Sequence, residues 1–114
     1  MLLNVSTSST LAAKLLVADT FWKRLIGLLG KKDMPSGAAL LISPCNSVHT
    51  MFMHFPIDIL FINRDFIVVK IVRDLKPWRT AACSKAYSVI EAAAGTVSRT
   101  GTKEGDRLLV SREP

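Results

Sequence analysis

The chain has 114 residues, 49% of them hydrophobic and 21% charged, with a net charge of +6. That length suits a single domain, residues 1–114, and that composition can fill a core, which excludes a mainly disordered chain; two cysteines are too few for a disulfide scaffold. The charge favours acidic partners, yet the fifteen Lys and Arg are scattered, with no arginine run, zinc finger or aromatic ribonucleoprotein motif, so nucleic acid is not expected as a partner.

The N-terminal stretch "MLLNVSTSSTLAAKLLVADTF" has no basic lead-in, and Lys14 and Asp19 break its apolar residues, so it does not read as a signal peptide. No window approaches the ~18 uncharged apolar residues that a membrane helix needs, so no membrane insertion is expected. A cytoplasmic protein with both thiols reduced follows as the expectation. Within the stretch, residues 2–18 read as two short strands around a Ser/Thr-rich turn.

"DTFWKRLIGLLG" comes next. Asp19 or Thr20 caps it, Phe21, Leu25 and Leu28 fall on one stripe, and Gly30 stops it, so a helix is predicted at about 19–30. "AALLIS" is a short apolar run that suits a buried strand, ended by Pro44. "IDILFIN" is apolar without alternation, so both its faces should be covered. Through "NRD" it turns into "FIVVKIVRDL", a predicted β-hairpin. "KPWRTAACSK" reads as a loop, and "AYSVIEAAAG" as a strand ending in a small-residue corner. A short helix near 93–100, the turn "GTKEGD" and a last strand close the chain. No pair of predicted strands has a long enough helical crossover between its members, which argues for antiparallel pairing throughout. The predicted fold is α+β: a mostly antiparallel sheet curled into a small barrel-like core with one clear helix.

Chemistry concentrates in "CNSVHTMFMHFPID", residues 45–58, read as a core-lining strand with its entry loop. Strand alternation would put His49, Met51 and Met53 on one face and Thr50, Phe52 and His54 on the other. A histidine among apolar residues needs a partner for its ring nitrogens, and Asp58, between Ile57 and Ile59, needs a cation or backbone N–H donors if buried. Trp78 and Arg79 put a flat aromatic beside a guanidinium, a pair that can clamp an anion or a planar ring. The candidate ligand site is therefore His49, Met53, His54, Asp58, Trp78 and Arg79. Catalytic residues are not assigned.

Other readings stay open. Cys45, His49 and Met53 are soft or borderline ligands, but an extended chain holds Cys45 and His49 about 13 Å apart, too far for one ion. Asp58 and Glu91 are both acids set in apolar strands, the raw material of an acid–base pair. A cysteine nucleophile with a histidine base is a further arrangement. No phosphate loop, dinucleotide fingerprint or nucleophile elbow is present, and no cofactor is expected.

"RLIGLLG" (24–30), "CNSVHTMFMHFPIDILFIN" (45–63), "LKPWR" (75–79), "VIEAAAG" (89–95) and "GDRLLV" (105–110), in that order, resemble the family known as domain of unknown function 192. The middle motif is similar to its variant in which Cys–x3–His–Thr precedes Met–x2–Pro–Ile–Asp; other members carry Trp–Met–Lys–Asn–Thr there. His54 stands where a Lys or Arg is usual, which would make any ligand contact there depend on pH. The resemblance implies a compact α+β fold with a small barrel-like sheet and implies no activity. The expectation is thus a small binding or accessory domain with an unknown small-molecule or protein partner. The alternatives are a hydrolase or isomerase using His49 with Asp58 or Cys45, and a soft-metal protein.

Overall fold

Three adjacent strands organise the molecule, because they are buried on both faces. A computed structural model describes residues 1–18, 37–51 and 53–111. The helix predicted at 19–30 lies outside these residues. The described chain forms β1 (Leu2–Asn4), β2 (Ser9–Ala12), β3 (Lys14–Ala18), β4 (Ala38–Ile42), β5 (Ser47–His49), β6 (Ile57–Ile62), β7 (Val68–Leu75), β8 (Thr80–Ala82), β9 (Ser88–Ala93), a short helix α1 (Thr96–Thr100) and β10 (Leu108–Val110). The Cα radius of gyration is 12.6 Å, as compact as the ~13 Å typical of a folded chain of this length.

β4, β9 and β6 lie side by side in a five-stranded sheet of order β3-β4-β9-β6-β7. Every residue of β6 is buried, as is most of β9. Alternation sorts their side chains into two clusters. Leu60, Ile62, Ile90 and Ala92 face one side, where Leu2, Leu11 and Leu108 from the smaller sheet β10-β1-β2 cover them. Ile57, Ile59, Phe61 and Val89 face the other, beneath Met53 and Phe55, and Val48 and Ala81 of a two-stranded ribbon, β5 with β8, pack against that cluster.

The hairpin predicted through "NRD" is β6–β7. Asn63 makes its turn: the side-chain oxygen accepts N–H bonds from Asp65 (2.9 Å) and Ile67 (3.0 Å), the local bonding that suits asparagine to turns. The short helix predicted near 93–100 is α1.

Several expectations differ from the structure. β3 and β4 pair in parallel, because residues 19–37 between them are long enough for the crossover that parallel strands require. Residues 2–18 form three strands rather than two, the third joining the larger sheet. No sheet closes into a barrel among the described residues: the larger one ends at β3 and β7, the smaller at β10 and β2. Residues 45–58 are not one core-lining strand: among the described residues Ser47–His49 forms the half-exposed β5, and the core strand β6 begins only at Ile57. The partner of β5 is β8, inside the segment read as a loop.

Candidate functional site

Thr50, which follows β5, is fully buried and ties the ribbon to the loop 76–79. Its hydroxyl donates to the Lys76 carbonyl (2.6 Å) and accepts the Arg79 N–H (2.8 Å). Its backbone N–H donates to the Arg79 carbonyl (2.8 Å), and its carbonyl accepts the Trp78 N–H (3.0 Å). One small side chain and its own peptide groups thus satisfy four backbone groups of the loop, a turn-like role for which a hydroxyl is suited.

The loop so held is strained at its tip. Trp78 has φ +64, a left-handed backbone that bulky residues rarely adopt, at a cost of about 1–3 kcal/mol. Its side chain is 58% exposed. Arg79 is exposed beside it, and the guanidinium makes a long contact with the Trp78 carbonyl, 3.5 Å. His49, exposed on β5, stands opposite Thr80 in the ribbon register, one residue from Arg79. Met51 is partly exposed on the same turn. His49, Trp78 and Arg79 therefore come together, around a residue that sequence reasoning did not select. Thr50 was visible only as the Thr of the Cys–x3–His–Thr run.

The other candidates lie elsewhere. Met53 is buried in the second cluster, and His54 is exposed on the chain leading to Pro56. Asp58 is buried, with 1% exposure. One carboxylate oxygen accepts the Asp74 N–H (2.8 Å) and the other the Val97 N–H (2.9 Å). It thereby fastens the irregular end of β7, where Asp74 has φ +53, to the first turn of α1. These are the backbone donors that a buried carboxylate between two isoleucines requires.

Glu91 is the contrasting acid. It sits in β9 opposite Leu40 on one side and Ile59 on the other, and 5% of it is exposed. No described residue donates a hydrogen bond to its carboxyl. Burial pushes its pKa up to about 7, because desolvation penalises the charged form.

Cys45 and Cys83 are free and partly buried at the foot of the ribbon. The Cys45 thiol donates to the Ser47 carbonyl at 3.0 Å. Among the described residues no three His, Cys, Asp or Glu side chains cluster to hold a metal ion, and Met53 in the core is separated from His49 on the surface.

A family model described as "Uncharacterized ACR", domain of unknown function 192, matches residues 3–110. The chain belongs to that family. Similar members of the domain of unknown function 192 family include UPF0127 protein PF1050 of Pyrococcus furiosus, 32% identical, the match covering 97% of this chain and 98% of that one. UPF0127 protein PH1112 of Pyrococcus horikoshii is 33% identical, with coverage of 95% and 96%. Two solved structures share the fold. One, named a "putative transcription regulator", is from Sinorhizobium meliloti: TM-score 0.76, 25% identity, covering 83% of this chain and 79% of that one. The other, a protein of unknown function from Novosphingobium aromaticivorans, has TM-score 0.76 and 20% identity, covering 84% and 74%. No helix among the described residues is long and apolar enough to cross a membrane.

Proposed function

We propose that this family member is a small binding domain whose site is the ribbon tip, with Trp78 as apolar wall, Arg79 as anion contact and His49 as hydrogen-bonding partner. The ligand class that fits is a small planar anion, such as a nucleoside monophosphate. The observation that carries this reading is the Thr50 knot, which holds a largely exposed indole on a left-handed backbone. Strain of that kind, spent on displaying an aromatic ring beside a guanidinium, supports a contact surface. Met53 packs in the cluster beneath the ribbon, and Asp58, on the opposite face of the sheet, fastens the end of β7 from which the loop 76–79 departs. His54 lies close in sequence, exposed on the chain leading to Pro56. A reducing, cytoplasmic setting with both thiols free belongs to the same reading.

The test is tryptophan emission in a Trp22→Phe background, which leaves Trp78 as the single reporter, titrated with nucleoside monophosphates. Saturable quenching that weakens about ten-fold in Arg79→Ala supports the reading. Emission that does not change with any of them, or quenching indifferent to Arg79→Ala, overturns it. Duplex DNA is the control probe suggested by the name of the Sinorhizobium meliloti structure, and binding there would fall steeply with salt.

A second reading, a small hydrolase or isomerase, is favoured by Glu91. A carboxylic acid whose pKa burial raises to about 7 lies in the range suited to general-acid work. It differs from the first in requiring turnover that Glu91→Gln removes.

A further inference from the structure

The two edges of the smaller sheet are treated differently. At the β2 edge the Arg99 guanidinium donates to the carbonyls of Thr10 (3.2 Å) and Leu11 (3.1 Å). Covering an edge with a charged side chain is a common device against unwanted strand pairing. Among the described residues the β10 edge is covered only at its start, where Ile67 bridges Arg107, and no charged side chain caps the rest.

The hydrogen-bond phase of the β1–β10 pair shows which groups are left. Val5 donates to the Arg107 carbonyl (3.0 Å) and Ser111 to that of Met1 (2.8 Å). In an antiparallel pair, bonded positions alternate, so residues 107, 109 and 111 turn their peptide groups toward β1, and residues 108 and 110 turn theirs outward. The Leu108 N–H is taken by the Phe66 carbonyl at 2.8 Å. The Leu108 carbonyl and both peptide groups of Val110 face outward with no partner among the described residues.

A depression of about 530 Å³ runs along this edge. Its apolar lining includes Val5, Leu109 and Val110, exposed by 45%, 50% and 41%. Arg64 and Arg107 rim it against a single acid, Asp65. Neither guanidinium is paired with a carboxylate among the described residues. Arg64 lies over the Tyr87 ring, 4.1 Å from the guanidinium carbon to the ring centroid, a contact that holds the charge in place.

We infer that the β10 edge is a docking site for an extended acidic peptide segment of another protein, which adds as a further strand and sets its carboxylates against Arg64 and Arg107. Strand addition takes main-chain bonds for affinity and alternate side chains for selectivity. Here the open Leu108 and Val110 groups offer the first, and the apolar floor with its two cations offers the second. Charge decides between occupants. A second copy pairing edge to edge would bring four arginines and two net charges of +6 together, whereas an acidic segment neutralises them.

The probes are two fluorescein-labelled peptides, one alternating valine with glutamate and one alternating valine with lysine, titrated into the full chain by fluorescence anisotropy. The glutamate peptide should bind and the lysine peptide should not. Val110→Pro removes an outward N–H while leaving the β1-facing bonds intact, as proline at a sheet edge permits, and should weaken binding by about ten-fold. Arg64→Glu with Arg107→Glu should reverse the preference toward the lysine peptide, which a generally sticky or misfolded variant would not do. Equal binding of both peptides, binding indifferent to both variants, or no binding overturns the proposal. A dimer seen by sedimentation and broken by Val110→Pro would assign the edge to a second copy instead.

Discussion

Asp58 and Glu91 stand on adjacent strands of one sheet and point to opposite faces of it. Asp58 pairs with Ala92, and Glu91 with Ile59, so side-chain alternation separates the carboxyl groups by the thickness of the sheet. An acid–base pair of the glycosidase type needs both groups around one bond, and that arrangement is excluded here. The two acids also solve burial differently. Asp58 takes two backbone N–H donors, and Glu91, with none from the described residues, keeps its proton to a higher pH.

Removing the Asp58 carboxylate should unfold the protein more readily. Asp58→Ala leaves the N–H groups of Asp74 and Val97 without acceptors, each costing about 1–3 kcal/mol. Urea denaturation should show a loss of about 2–4 kcal/mol. Asp58→Asn, whose amide oxygen still accepts one bond, should lose less. A loss under about 0.5 kcal/mol in Asp58→Ala, the range of ordinary surface changes, would mean that the anchor is not structural.

Glu91 should make stability fall as pH rises. Its folded pKa of about 7 lies above the ordinary 4.5, so between these values the native state holds a proton that the unfolded state has released. Stability from this group is therefore greatest below about pH 4.5, declines through pH 7 and is level above it, a total change of about 3 kcal/mol. Glu91→Gln should flatten this component and be the more stable protein at pH 8. Denaturation midpoints of the two proteins, measured side by side from pH 5 to pH 8, should converge at the acid end. Parallel curves would contradict it.

Thr50→Val keeps the shape and removes the hydroxyl, which deprives the Arg79 N–H of its side-chain acceptor and the Lys76 carbonyl of its donor. The expected cost is about 2 kcal/mol, with faster proteolytic cutting within residues 76–79. Thr50→Ser retains the hydroxyl and should stay within about 0.5–1.5 kcal/mol of the wild type, the price of one methyl. If Val and Ser behave alike, packing rather than hydrogen bonding holds the loop.

Asn4→Asp tests the junction between the first hairpin and the 102–106 turn. Asn4 is fully buried. Its amide nitrogen donates to Thr102 (3.0 Å) and to the Asp106 carboxylate (2.9 Å), and its oxygen accepts from Ser6. A carboxylate there replaces the donor to Asp106 with a like charge. The variant should lose more than about 3 kcal/mol at pH 7 and recover part of it as the pH falls toward 4, when one of the two acids is protonated. A pH-independent loss would rule out charge repulsion as its cause.

How much of this was legible beforehand varies by residue. The β6–β7 hairpin was readable because Asn63 acts on neighbours two and four residues away, and turn chemistry is written locally. The family was readable because its motifs are contiguous. β8 was not, because "TAA" has no pattern of its own and becomes a strand only where β5 offers it an edge. The role of Thr50 was hidden for the same reason: its partners lie 26 and 29 residues further on.

By itself the sequence determined the central strands β4, β6 and β9. Their runs of aliphatic residues, apolar on both faces, are stable only when covered from both sides, wherever the rest of the chain goes. Tertiary structure alone decided the parallel join of β3 to β4, the open sheets and the division of labour between Asp58 and Glu91. An acid beside an isoleucine reads the same at both places. What separates them is whether pairing register turns the side chain toward waiting N–H groups or toward aliphatic neighbours, and register depends on partners distant in sequence.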